Sequence, residues 1–134
     1  MALKDYAEID EDDYYGQNFE QVGKVSIWLG LTTDEDDPEA LDVLQDLCGV
    51  GYYDLDKQDM NCFDFEFTNL KKLLKDISYS DSFIEQVCGE AYSKGYKEAR
   101  WVLAQYDFEY DPNKVKRKIE ADPVFLGTYN YREL

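Results

Sequence analysis

The stretch Glu98–Tyr110, EARWVLAQYDFEY, limits the folds open to this chain more than any other. Ala99, Trp101 and Leu103 alternate with Arg100, Val102 and Ala104, so its first half is apolar on both faces. A strand of that kind has to be covered from both sides, which places it inside a sheet. Its second half alternates aromatic residues with acids, from Tyr106 to Tyr110, as in a strand emerging toward water. Val25–Leu29, VSIWL, reads as a second buried strand, and Gly30 then lets the chain turn away. Cys62–Phe67, CFDFEF, alternates phenylalanine with acid and predicts a half-buried strand with a wet, negative face. Val124–Tyr131 is the last strand.

Helices fall between these strands. Over Pro38–Cys48, Asp37 is a suitable N-cap, Pro38 fits the first helical position and Glu39 the first turn. Leu41, Leu44, Leu47 and Cys48 share one face, Asp42, Gln45 and Asp46 the other, and Gly49 supplies a left-handed stop. A short helix capped by Thr68 or Asn69 carries Leu70, Leu73, Leu74 and Ile77 on one side. In the next, Ser82 and Glu85 form a capping box and Ile84, Val87, Cys88 and Ala91 form the stripe. Gly89 inside it costs about 1 kcal/mol relative to alanine, so close packing is expected there. Gly95 ends that helix. Asp111-Pro112 opens a short basic helix, with Lys114, Lys116, Arg117 and Lys118 outside and Val115 and Ile119 inside. Tyr52–Met60 reads as a loop. Strands and helices intersperse without a regular βαβ beat, so the expected class is α+β: one sheet of about four strands with helices packed against it. A chain of 134 residues suits one such domain, placed here at residues 24–134. Residues 1–23 read as an acidic, tyrosine-rich and partly ordered arm, with Tyr14, Tyr15 and Phe19 packing it down.

Charge bears on partners rather than on fold. The net charge is −16, and residues 1–67 hold 19 of the 30 acids but 3 of the 14 bases. The second half is neutral. A field this lopsided repels nucleic acid and anionic membranes and attracts basic proteins. Asp34 to Asp37 show it locally: a cap and one or two dipole partners account for part of the run, each dipole partner contributing about 0.3–1 kcal/mol, and Asp34 and Glu35 remain unexplained.

Several chemistries are excluded. The chain has no histidine, so Ser-His-Asp and Cys-His arrangements and His-containing zinc sites are out. Cys48, Cys62 and Cys88 form no C-x-x-C pair and read as free thiols of a reducing cytosol. No phosphate-cradling glycine motif occurs. Asp54, Asp56 and Asp59 mimic the start of a calcium loop, but Asp59 stands where its glycine belongs and Phe65 where its glutamate belongs. No cofactor and no metal are therefore expected. The N-terminus shows no basic-then-apolar leader and no apolar run approaches a membrane span, so a cytoplasmic protein without membrane contact is expected. Trp28 and Trp101 read as core, and Arg100 as a strand-surface arginine rather than one stacked on an aromatic ring or paired with a strand acid.

VSIWLG (Val25–Gly30), SYSDSFIE (Ser78–Glu85), YDFEYDP (Tyr106–Pro112) and FLGTYNY (Phe125–Tyr131) together resemble the bacterial immunity protein 22 family of polymorphic toxin systems, from about residue 25 to the end. The resemblance implies a small cytoplasmic α+β protein without enzyme activity that binds and neutralises a co-encoded toxin, and it transfers no contact residues. With the charge, it points to a basic toxin domain, possibly a nuclease, docking on the acidic first half. The expected contact residues are Asp34, Glu35, Asp36, Asp42, Asp46, Tyr52, Tyr53, Asp54, Asp56 and Asp59: aromatic anchors inside a negative rim. Two other readings stay open: a general acidic adaptor for basic proteins, and a small-molecule or metal-binding regulator.

Overall fold

A computed structural model describes Gln17, residues 19–31, Leu44, and residues 48–115 and 123–132. The doubly apolar stretch forms strand β5 (Trp101–Phe108) and is a central strand, as its pattern predicts. It lies between β2 (Gln58–Cys62) and β1 (Glu20–Gly30), and β6 (Val124–Asn130) pairs on the far side of β1. All three pairings are antiparallel. A second, two-stranded sheet joins β3 (Thr68–Asn69) to β4 (Glu98–Ala99).

Alternation along β1 and β5 sends side chains to two cores. Val25, Ile27, Leu29, Val102 and Ala104 face the helices α1 (Leu70–Lys75) and α2 (Ile84–Ser93). Trp28, Trp101, Leu103 and Phe108 face Phe19, Leu44, Cys48, Val50, Tyr110 and Val115. Both tryptophans are core, as expected. The Asn69 side chain caps α1 by accepting from the Lys71 N–H at 2.9 Å. Leu70, Leu73, Leu74 and Ile77 are all buried, as are Val87, Cys88 and Ala91 of α2. Gly95, at φ +90°, reverses the chain after α2, and the Tyr96 N–H returns to the Ala91 carbonyl at 2.8 Å. On the other face the Tyr110 hydroxyl donates to the Cys48 carbonyl at 2.6 Å. The Gln17 amide bridges Gly49 and Gly51 at 2.9 and 2.8 Å. Of the helix predicted over Pro38–Cys48, only buried Leu44 and Cys48 are described and the rest lies outside the described residues; Gly49 has the left-handed φ, +76°, that its sequence reading calls for. The three thiols are free. Among the described residues no helix is long and apolar enough to cross a membrane. The architecture is α+β with one four-stranded sheet, as the sequence predicts.

Five local expectations fail. The strand expected at Cys62–Phe67 is instead Gln58–Cys62, which starts inside the predicted loop and ends at the first residue of the predicted strand, whereas Phe63–Phe67 turns: Asp64 and Phe65 both sit at φ +56°. Two of the alternating phenylalanines serve in that turn as surfaces for cations, Lys72 lying 4.8 Å from the Phe63 ring centre and Arg100 4.3 Å from that of Phe67, while Phe65 packs on the tryptophan-side core. Arg100 thus stacks on an aromatic ring, while Nη1 donates to the Phe65 carbonyl at 3.0 Å and Nε to that of Leu31 at 3.3 Å. It also interrupts the strand, so Ala99 packs on the helix side rather than beside Trp101. The capping box does not form: Phe83 occupies the N-cap of α2, and the Ser82 hydroxyl donates to Tyr79 and accepts from the Arg132 N–H. Finally, Gly89 is exposed, with open space where a Cβ would stand. Gly89→Ala should therefore stabilise the protein, by about 0.5–1 kcal/mol from helix propensity alone. Urea denaturation checks it, and a loss of stability would mean that the position is packed after all.

Candidate functional site

The sheet end where β5 stops carries a cleft of about 410 Å³. It is organised by Asp107, the one residue of β5 with a positive φ, +53°. Opposite it the β1 pairing skips from Glu20 to Val25, a bulge centred on Gly23 at φ +83°. The Asp107 carboxylate holds that bulge. Oδ1 accepts from the Gly23 N–H at 2.9 Å and from the Tyr131 hydroxyl at 2.7 Å, and Oδ2 accepts from Lys57 Nζ at 2.8 Å. One side chain thereby joins β1, the end of β6 and the 3-10 turn Leu55–Lys57 that precedes β2.

Tyrosines form the opposite wall. Tyr79 follows α1 at φ +61°, stacks on Tyr131 (ring centres 5.9 Å apart, planes 28°) and meets Tyr106 edge-on at 5.7 Å. Tyr106 and Tyr131 pack edge-to-face at 4.9 Å. The Tyr106 hydroxyl donates to the Ser78 carbonyl, and burial pushes its pKa far above the ordinary tyrosine value. Asp59 closes the floor: Oδ2 accepts from both the N–H and the hydroxyl of Ser78, at 2.9 and 3.0 Å, and Oδ1 from the Met60 N–H. Asp56 and Gln58 complete the lining.

Burial pushes the Asp107 carboxyl up, but Lys57, the Gly23 N–H and Tyr131 outweigh it and hold it below the usual 3.8. The same pair raises the Lys57 ammonium above 10.5. A carboxyl lowered by folding stabilises above its unfolded pKa, and that contribution is lost as pH falls through the folded value. An ammonium raised by folding does so below its unfolded pKa and loses it as pH rises through the folded value. The pair thus contributes fully between about pH 4 and pH 10. Asp107→Asn should cost about 1–3 kcal/mol at neutral pH, because an amide nitrogen in place of either carboxylate oxygen faces a donor, the Gly23 N–H or Lys57. Acidification below about pH 4 should then weaken wild type more than the variant. Thermal melts across that range measure both, and parallel curves would remove the carboxylate from the account.

The expected contact residues divide. Asp34, Glu35, Asp36, Asp42 and Asp46 lie outside the described residues. Asp56 and Asp59 come together in the cleft. Asp54 caps the adjoining turn, accepting from the Asp56 N–H at 3.0 Å. Tyr52 is exposed, and Tyr53 is half-buried against the tryptophan-side core, so neither lines the cleft. Exposed Val22 and Leu55 adjoin the bulge and the turn. Among the described residues, the sheet interleaves first-half strands β2 and β1 with second-half strands β5 and β6. Sequence reasoning missed Lys57, Tyr79, Tyr106, Asp107 and Tyr131. The available signal was the set of stretches carrying the resemblance, for SYSDSFIE supplies Ser78 and Tyr79, YDFEYDP supplies Tyr106 and Asp107, and FLGTYNY supplies Tyr131. Among the described residues no group of three or more potential ligands is placed to hold a metal ion.

Sheet, helices and cleft define a small α+β protein with a polar, aromatic-walled recess at one sheet end. Within that class the chain belongs to the Immunity protein 22 family, whose model matches residues 43–132. The matched span includes the cleft residues from Asp56 to Tyr131 and begins after VSIWLG, later than the motifs placed it. Membership gives the chain an immunity role at the coarse level. No curated protein and no solved structure matches it.

Proposed function

We propose that the protein protects a bacterial cell from a cognate toxin by binding the toxin domain and neutralising it, without catalysis and in the cytoplasm. The observation that carries this reading is the family match over residues 43–132. The net charge of −16 supports a basic toxin, and a nuclease is the chemistry that best accounts for a basic active domain. The contact surface is the acidic segment around Asp34, Glu35, Asp36, Asp42 and Asp46 together with Tyr52, Tyr53, Asp54, Asp56 and Asp59. Exposed Leu55 and Tyr79 among these acids support an interface of apolar anchors with a charged rim. Neither nucleic acid nor membrane is a partner in this reading.

The test is co-expression with the toxin-like product of the neighbouring gene. Survival of the host and a one-to-one complex whose association slows with salt are expected. Killing despite co-expression, with no complex on purification, ends the proposal. An unrelated basic protein bound equally well at physiological salt would favour a general acidic adaptor instead. The cleft is the observation nearest to a small-molecule site. Its inner polar groups are spent on one another, however: Asp107 on Gly23, Tyr131 and Lys57, and Asp59 on Met60 and Ser78.

A further inference from the structure

We propose that the cleft is a receptor for an arginine side chain of the partner protein, with Lys57 as the chain's own placeholder for that cation. The inference rests on the toxin-binding reading for the source of the arginine, but not for the chemistry of the recess. The first observation is that the molecule already places a cation there. Lys57 Nζ sits on Asp107 Oδ2 at 2.8 Å, on a side chain that is 48% exposed against 19% for Asp107. An ammonium held by so exposed a stem costs little to displace, because solvent screens an exposed ion pair.

The second observation is what remains unspent around it. The Tyr79 ring stacks one face on Tyr131, and the residue is 42% exposed. Among the described residues no hydrogen bond or ion pair engages the Asp56 carboxylate, which is exposed on the same recess. An aromatic face and a free carboxylate are the two groups a planar guanidinium uses at once, by stacking and by a forked hydrogen bond. With Asp56, Asp59 and Asp107 against Lys57, the recess is net negative, and displacing Lys57 leaves it more so. Arginine fits better than lysine, since its delocalised charge loses less hydration on stacking.

The probe is N-acetyl-arginine amide, titrated into the full chain by NMR at low salt, with the neutral citrulline analogue as control. Arginine amide should shift the backbone signals of Gly23, Asp107 and Tyr131, and citrulline should not. Asp56→Asn and Tyr79→Leu should each weaken binding by about two- to fivefold, the range of an exposed ion pair or cation–π contact. Tyr79→Phe keeps the ring and should bind like wild type. Lys57→Met should tighten binding, a direction that loss of structure does not produce. Equal shifts with citrulline, or unchanged or weaker binding in Lys57→Met, overturn the proposal. A second arm uses the neighbouring gene's product. If wild type binds it and protects, while the Asp56→Asn/Tyr79→Leu double variant binds equally tightly, the recess is not where the partner docks and the immunity reading stands. If wild type fails to bind it, the immunity reading falls and the arginine titration judges the recess alone.

Discussion

Gly30→Ala is expected to destabilise the protein by about 3 kcal/mol or more, at or above the upper end of ordinary overpacking. An ideal Cβ at Gly30 would stand 1.8 Å from Trp101 Cε2 and 2.0 Å from Nε1, inside the indole itself. The ring has nowhere to go. Trp101 is 2% exposed, belongs to the tryptophan-side core and is the register partner of Gly30 across β1 and β5. Relief would require prying apart the two central strands, which also share the Arg100 N–H to Gly30 carbonyl bond at 2.8 Å. Backbone freedom is not the reason for this glycine, since Gly30 lacks the positive φ recorded for Gly23 and Gly95. The two explanations separate in a double-mutant cycle. If space is the cause, Gly30→Ala combined with Trp101→Leu should be more stable than the sum of the single changes by about 0.5–3 kcal/mol. If backbone entropy is the cause, Gly30→Ala changes stability by only about 0.5–1 kcal/mol and the cycle closes without coupling. Urea denaturation of the four proteins decides it.

Gly30 also illustrates what the chain makes legible. VSIWLG announces a strand, and its glycine reads as a turn because nothing local reveals that a tryptophan seventy-one residues away lies across it. The buried elements were readable for a physical reason: β1, β5 and both helices owe their form to continuous apolar faces, a signal carried by each segment alone. Strand β2 is the opposite case. QDMNC is half-buried at all five positions and mixes polar with apolar residues, so it shows no period, and its place comes from pairing with β5. CFDFEF shows a strand's period without being one: the chain turns at Asp64 and Phe65, so Phe63 packs on the helix-side core under Lys72, Phe65 on the tryptophan-side core, and Phe67 lies under Arg100. Ser82 has the spacing of a cap, yet its hydroxyl is taken by Tyr79 and Arg132, and only the fold brings Arg132 there.

The cleft was hidden for the same reason on a larger scale. Its tyrosines and Asp107 come from segments up to fifty-two positions apart, Tyr79 to Tyr131, and no spacing rule links them. The acids of residues 34–59 drew attention because they crowd one stretch of the chain. Of that set, Asp59 proves to hold Ser78 and Asp54 to cap a turn, which leaves Asp56 as the acid in the cleft free of a structural duty among the described residues. Clustered charge is what a sequence displays best, and at Asp54 and Asp59 part of it is already engaged within the fold.

Long-range attraction does not need such availability, which is why the acidic run Asp34–Asp36 carries the largest expected functional effect. Replacing Asp34 and Asp36 with asparagine and Glu35 with glutamine removes three of the 30 acids while preserving size and polarity. Stability should change by no more than about 0.5 kcal/mol. Association with a basic toxin domain should slow by about tenfold at low salt, a fraction of the 10- to 1000-fold that electrostatic steering supplies. Stopped-flow mixing measures this directly, and at about 1 M salt, where the screening length shrinks to about 3 Å, wild type and variant should converge. A matched variant separates a local effect from a global one: Asp76→Asn, Glu85→Gln and Glu98→Gln remove the same charge from exposed sites in the neutral half of the chain. Slowing by the first set alone means that the toxin approaches along residues 34–36. Equal slowing by both means that it responds to net charge, and the acidic segment then loses its special role while the recess at Asp107 keeps its own. Loss of folding in the first set with association unchanged would make those carboxylates structural, because a steering charge acts before contact and leaves the folded state untouched.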